Sequence, residues 1–138
     1  MQSGAEASLA CAPVVPPVGP WRIDYYVDEF GRAPFQRWFA HQSDAARDVV
    51  SWAIERRLAV YGVDVCSDHW GRNLGGGLYE LRVRRRALLL RVFFAVEQDR
   101  VVLLFGGYDK GAQPKLQSAE IARARRCLAE HRRRRDIL

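Results

Sequence analysis

No run of about 18 apolar residues occurs in the sequence, so it contains no segment suited to crossing a bilayer as a helix. Cysteine is scarce. Cys11, Cys66 and Cys127 make an odd count with no Cys-x-x-Cys pair and no histidine at ligand spacing, which argues against a disulfide framework and against a zinc site. A reducing cytoplasm is the expected compartment. Residues 1–21 carry no basic side chain, and prolines at 13, 16, 17 and 20 break every apolar stretch there, which excludes a secretory signal peptide. Ser8-Leu9-Ala10-Cys11 has the spacing of a lipoprotein cleavage site, but no hydrophobic segment precedes it. Residues 1–20 are therefore expected to be a flexible extension, or residues added by an upstream start codon, ahead of one domain over 21–138. Lysine is nearly absent: 20 of the 22 basic residues are arginine, whose planar fork grips phosphate in a bidentate way.

Against these absences stands material for one well-filled core. The 138 residues are 49% hydrophobic and 28% charged, a normal balance for a globular domain. The net charge of +6 points to an anionic partner, nucleic acid first and an acidic protein second. Its distribution is uneven. Residues 22–70 carry 6 basic and 8 acidic side chains, 71–110 carry 8 and 4, and 111–138 carry 8 and 3, so the whole excess lies in the C-terminal half.

Residues 21–27 are aromatic and β-branched and read as a strand. Pro34 suits the first position of a short helix with Phe35, Trp38 and Phe39 along one side. Ser43 is a good N-cap for a second helix over 44–61, with Val50, Ala53, Ile54 and Tyr61 on one side and Gly62 at its end. A loop is expected over 63–77. Three strands follow, about 78–84, 88–97 and 100–106, and their very short connectors force antiparallel hairpins. A last helix over 118–134 has Glu120 in its first turn and Arg132–Arg135 at its end, both suited to the helix dipole. The order β-α-α-β-β-β-α predicts an α+β fold, an antiparallel sheet with helices packed on one face.

Three stretches together carry a resemblance: Tyr25-Tyr26-Val27-Asp28-Glu29-Phe30-Gly31-Arg32-Ala33-Pro34-Phe35; Leu74-Gly75-Gly76-Gly77-Leu78-Tyr79-Glu80-Leu81-Arg82; and Arg91-Val92-Phe93-Phe94 through Gly107-Tyr108-Asp109-Lys110. Over roughly residues 21–135 the sequence resembles the phage-derived host-killer (HigB-type) toxins of the RelE/ParE superfamily. The resemblance implies the RelE/ParE-like fold and the toxin of a type II toxin–antitoxin pair. It further implies a ribosome-associated endoribonuclease that cleaves mRNA, inhibits translation and needs no metal or other cofactor. The implied partners are mRNA, the ribosome and a cognate helix-turn-helix (HigA-type) antitoxin, with no membrane involved. Two other functions remain open: a ParE-like gyrase inhibitor without nuclease activity, and a non-enzymatic nucleic-acid-binding or degenerate toxin.

Metal-free RNA cleavage requires a 2′-OH aligned on phosphorus, stabilisation of the pentacoordinate phosphate, and proton transfer off the 2′-oxygen and onto the 5′-oxygen. Strand alternation sets Glu80, Arg82 and Arg84 on one face of 78–84 and Tyr79, Leu81 and Val83 on the other. Arg91 interrupts an apolar strand, so it is either paired in the core or facing an open groove. The resemblance makes Arg82 and Arg91 catalytic phosphate ligands and Lys110 a catalytic residue that binds phosphate or protonates the leaving oxygen. Relatives often carry two consecutive basic residues at that point. Here Gly111 follows Lys110, and Lys115 is the candidate replacement. Glu80, Arg84, Tyr108 and Lys115 complete the RNA-binding candidates, with Tyr108 either stacking on a base or packing in the core. Glu80 either acts as a base or pairs with an arginine. His69 is a proton-transfer candidate or a surface residue, while His41 and His131 carry no signal beyond their helix ends. Gly75-Gly76-Gly77 is not a phosphate loop; it is expected to be a flexible turn open to RNA. Arg123, Arg125, Arg126 and Arg132–Arg135 form a basic helix, expected to be an electrostatic surface for ribosomal RNA.

Overall fold

The computed structural model describes residues 20–137. The expected extension therefore lies, except for Pro20, outside the described residues. Strand β1 (Arg22–Tyr25) leads through a turn into helix α1 (Pro34–Ala40) and helix α2 (Asp44–Ala53). Pro34 opens α1 as expected, and the Phe35 and Phe39 rings stack with centroids 5.6 Å apart. Ser43 caps α2 by accepting the Ala46 N–H at 3.1 Å. The helix continues through a π-helical turn (Ile54–Leu58) and a last α-turn (Ala59–Tyr61) into a 3₁₀ segment (Gly62–Ser67). The π-turn inserts one extra residue, which rotates everything after it by about a quarter-turn or more. Leu58 and Ala59 thus face inward, and Tyr61, expected on the buried side, is 46% exposed.

Four strands follow: β2 (Gly71–Gly75), β3 (Leu78–Arg85), β4 (Leu88–Glu97) and β5 (Val101–Asp109). A 3₁₀ turn (Pro114–Leu116) and helix α3 (Gln117–Ile137) complete the chain. The expected loop over 63–77 thus contains a strand. Gly-Arg-Asn-Leu-Gly has no β-branched or aromatic residue to signal it. It is an edge strand held by its backbone against β3.

The sheet order is β1-β5-β4-β3-β2. The β3–β4 and β4–β5 hairpins are antiparallel as their short connectors required, and β2 adds a third antiparallel pairing, but β1 runs parallel to β5, with Arg22 opposite Val101 and Tyr25 opposite Leu104. The sheet is therefore mixed and mostly antiparallel.

The helices do not share one face. Leu81, Val83, Leu90, Val92, Phe94, Val102 and Leu104 pack against α1 and α2. The alternate residues Leu78, Phe93, Ala95, Leu103 and Phe105 pack with Tyr26 against Ala124 and Leu128 of α3. The consecutive apolar residues of β4 are the sequence mark of a strand buried on both sides. The arginine-rich α3 masks its narrow apolar stripe. No helix among the described residues is long and apolar enough to cross a membrane.

Two arginines of α3 explain the triple glycine. Arg125 donates to the Leu74 and Gly75 carbonyls at 2.6 and 3.0 Å, and Arg132 donates to the Gly76 carbonyl at 3.0 Å. All three glycines have positive φ, and a Cβ on Gly77 would lie 2.3 Å from the Arg132 guanidinium. The turn is clasped by α3 rather than left open. On the same stretch of α3, Arg135 and His131 pair with Glu97 at 2.9 and 3.0 Å, and Tyr26 donates to Glu130 at 2.5 Å.

On the opposite face, Gly107 lets β5 pass under α1. A Cβ there would lie 2.6 Å from the Arg91 carbonyl oxygen and 2.9 Å from the Trp38 ring. Gly107→Ala is expected to cost about 1–3 kcal/mol by overpacking. Urea denaturation should show a lower midpoint at an unchanged m-value.

Candidate functional site

The second face of the sheet carries the charged residues in ordered rows. Arg82, Arg91 and Tyr108 are opposite one another across β3, β4 and β5. One row up lie Glu80, Phe93 and Gly106; one row down, Arg84 faces Leu89, whose carbonyl accepts the Lys110 N–H at 2.8 Å. Directly opposed residues have Cβ atoms about 4.5–5.5 Å apart, so Arg82 and Arg91 are two like charges held side by side. Three residues with catalytic expectations, Arg82, Arg91 and Lys110, are thus brought by three strands to neighbouring rows at one end of the sheet. The β3–β4 hairpin tip at that end adds exposed Arg84, Arg85 and Arg86. Arg86 holds the turn with φ of +54°, a backbone form that favours glycine or asparagine. Asp109 anchors the turn carrying Lys110 by accepting from the Gly111 and Ala112 N–H groups at 2.9 and 3.2 Å. Lys115 lies past that turn, exposed on the 3₁₀ segment.

Burial differs sharply among these groups. Glu80 is 1% exposed, Arg91 8% and Tyr108 2%, while Arg82 is half-buried. Arg91 Nε lies 3.5 Å from Glu80 Oε1, and its Nη1 donates to the Leu90 carbonyl at 3.2 Å. Of the two readings of Arg91, the paired core arginine matches this geometry. Burial presses its pKa below the usual arginine range, and Glu80 opposes that shift. The Tyr108 ring stacks on Phe93 with centroids 5.9 Å apart and planes 10° apart. That ring face is already occupied, so packing describes Tyr108 and base stacking does not. Burial, helped by Glu80, raises its hydroxyl pKa. Both Glu80 oxygens, Arg82 Nε and the Tyr108 hydroxyl are buried without a hydrogen-bond partner. Buried polar groups in native interiors are paired, so these atoms call for a further partner such as a water, an ion or a ligand.

Tyr108 links this patch to a cleft of about 920 Å³ between α1 and the start of α3. Strand β1 covers β5 only as far as Leu104, so the outer edge beyond it lacks a strand neighbour there. Arg37, Trp38 and His41 line the cleft from α1 and its C-cap, and Glu120 and Arg123 from α3. Arg82, Arg91, Lys110 and Lys115 are not among its lining residues. Sequence reasoning missed Glu120 and His41 as site residues. Glu120 was legible as a helix-start acid, but its position beside Tyr108 is tertiary. His41 Nδ1 lies 2.7 Å from the Arg37 carbonyl oxygen, which can only accept, so Nδ1 is the donor in that bond.

The other histidines stand apart from this cleft. His69 contacts Asp68 at 2.6 Å and meets the edge of Trp70, and His131 is bound to Glu97. The basic helix is partly committed to structure, since Arg125, Arg132, Arg134 and Arg135 bond to backbone carbonyls or acids of the fold.

Near the site, burial and Glu80 push the Cys66 thiol up to about 11 from an ordinary value of 9.0. The thiolate is the reactive form, so its population at pH 8 falls about 100-fold. Iodoacetamide at pH 8 is expected to label Cys66 about 100-fold more slowly than a free cysteine, with the rate rising tenfold per pH unit. Peptide mass spectrometry at timed quenches measures this.

These features define a small α+β domain with a basic sheet end beside a charged cleft. The chain belongs to the family described as phage derived protein Gp49-like (DUF891), which it matches over residues 37–129. No curated protein matches it.

Proposed function

We propose that the chain is the toxin of a type II toxin–antitoxin pair and acts as a metal-independent, ribosome-associated mRNA endoribonuclease. The convergence of Arg82, Arg91 and Lys110 on adjacent rows, next to the Arg84–Arg86 tip, carries this reading. Membership of the phage-derived family supports it. In this reading Arg82 contacts the scissile phosphate and stabilises the charge that builds on its oxygens. Arg91 supplies positive potential behind it and is itself held by Glu80. Lys110 binds phosphate or protonates the 5′-oxygen as it leaves. Arg84 and Lys115 bind the RNA backbone, the site of action is the cytoplasm, and a helix-turn-helix antitoxin of the HigA type neutralises the protein.

The Arg91–Glu80 pair favours a second reading, in which these charges are structural and the fold acts by inhibiting gyrase without cutting RNA. Induction of the wild type and Arg82→Ala in bacteria, with 5′-end mapping of mRNA, separates the two. New cleavage sites in translated messages, lost in Arg82→Ala, are the expected result. Growth arrest with intact mRNA and trapped gyrase–DNA complexes would overturn the nuclease reading.

A further inference from the structure

On the side of α2 away from the catalytic rows, aromatic and guanidinium groups form a continuous stripe. The Tyr61 and Trp70 rings lie 5.6 Å apart. The Arg57 guanidinium sits 4.3 Å from the Trp70 ring centroid and 5.0 Å from that of Trp52. These spacings make the stripe no longer than about 15 Å. The π-helical turn brings Arg57 between the two indoles, and Trp52 and Tyr61 remain 51% and 46% exposed. At the Trp52 end the stripe opens into a hollow of about 250 Å³, with Val49, Ala53 and Val83 in it and Arg84 and Arg85 on its border. Tyr61, Trp70, Arg57 and Trp52 take no part in the proposed ribonuclease chemistry; Arg84, which lines the hollow, is the one residue the two surfaces share.

The stripe is three aromatic rings and one guanidinium, with acidic side chains of its own region close in sequence. Asp48, Glu55 and Asp68 are exposed among the residues of this region, and residues 22–70 are net negative by two charges. Arg84 and Arg85, from the net-positive block 71–110, line the far hollow, while the stripe itself carries the single guanidinium of Arg57. Exposed indole and phenol rings at this spacing, with a guanidinium able to donate to backbone carbonyls, are the lining that recognises polyproline-II segments. The sequence supplies such a segment next to the stripe. Ala12-Pro13-Val14-Val15-Pro16-Pro17-Val18-Gly19-Pro20 contains two Pro-x-x-Pro spacings, and residues 7–21 carry no charge. The chain enters the fold where the Trp21 N–H donates to the Ala59 carbonyl at 3.0 Å, and the Trp21 ring covers Gly62. Both contacts lie within two residues of Tyr61. Nine residues at about 3.1 Å each reach about 28 Å, enough to run the stripe to the hollow.

We propose that the Tyr61–Trp70–Arg57–Trp52 stripe is a binding site for a proline-rich segment, and that the segment it takes is the chain's own residues 12–20. The tether would hold the ligand at an effective concentration near millimolar, so an intrinsically weak contact suffices.

The test uses the full chain with Pro13, Pro16 and Pro17 replaced by serine, all three outside the described residues. Indole N–H resonances are assigned by single Trp→Phe variants. The Trp52 and Trp70 signals are expected to shift on proline replacement, and that of Trp38 to stay. A synthetic peptide of residues 12–20 added in trans should restore the original positions. It should bind the proline-replaced chain at least tenfold more tightly than the wild type, whose site is occupied. Trp52→Ala in the proline-replaced chain should weaken the peptide at least tenfold. Unmoved Trp52 and Trp70 signals, or peptide binding indifferent to Trp52→Ala, would overturn the proposal. So would shifts that track protein concentration, which indicate a second copy, or shifts produced by oligouridine and not by the peptide, which indicate a nucleic-acid platform.

Discussion

Glu80→Ala is expected to lower the unfolding free energy by about 3–5 kcal/mol, a large share of the 5–15 kcal/mol typical of a domain. The reason is the charge it leaves behind. Arg91 is 8% exposed, and Glu80 is its carboxylate partner at 3.5 Å. Arg82, directly across the strand pair, repels it. Removing Glu80 strands a guanidinium in the interior beside a like charge, and arginine does not escape by losing its proton. Arg91→Ala leaves a buried carboxylate instead and is also destabilising. In Glu80→Ala/Arg91→Ala neither charge is stranded, so the double variant should lose at least about 2 kcal/mol less than the sum of the singles. Urea denaturation of the four proteins gives the coupling. Additive losses would mean that the pair is held apart by solvent and does not function as a buried ion pair.

That prediction required the structure, and the reason shows what the sequence carries. Alternation alone put Glu80, Arg82 and Arg84 on one face, and that is where they lie. The short hairpins, the Ser43 cap and the Pro34 helix start are local features with local signals, and each was legible. Which face α3 covers is not local. Its stripe of Ile121, Ala124, Cys127 and Leu128 is too narrow to stand out among arginines, so a face that reads as solvated is in fact roofed. Of the readings open for them, Glu80 therefore takes the pairing with an arginine and Tyr108 the packing in the core. Edge strand β2 and the π-turn in α2 escaped for a related reason: backbone pairing holds the first, and one inserted residue makes the second. The cleft between α1 and α3 joins residues far apart in the chain, His41 and Glu120 at 79 positions among them, and no spacing rule reaches that far.

Arg82→Ala is expected to separate chemistry from stability. Arg82 is half-buried, its backbone N–H is bound to the Trp70 carbonyl at 2.8 Å whatever the side chain, and its Nε has no partner. Truncation therefore strands no opposite charge and relieves repulsion on Arg91, so stability should change by less than about 1 kcal/mol. A guanidinium aimed at a phosphate that gains charge in the transition state acts only during reaction. Its loss should lower the cleavage rate about 10²–10³-fold, read as 5′-end formation on mRNA with purified ribosomes. Arg82→Lys keeps the charge and loses the fork, so it should recover only a small part of that rate. The contrast with Glu80→Ala is the point of the experiment. Reduced cleavage with a collapsed fold is what any core lesion produces, whereas reduced cleavage on an intact fold assigns Arg82 to the reacting phosphate. If Arg82→Ala cleaves at the wild-type rate, the arginine row is an electrostatic feature of the sheet, and the search for the catalytic groups moves to His41 and Glu120 in the adjoining cleft.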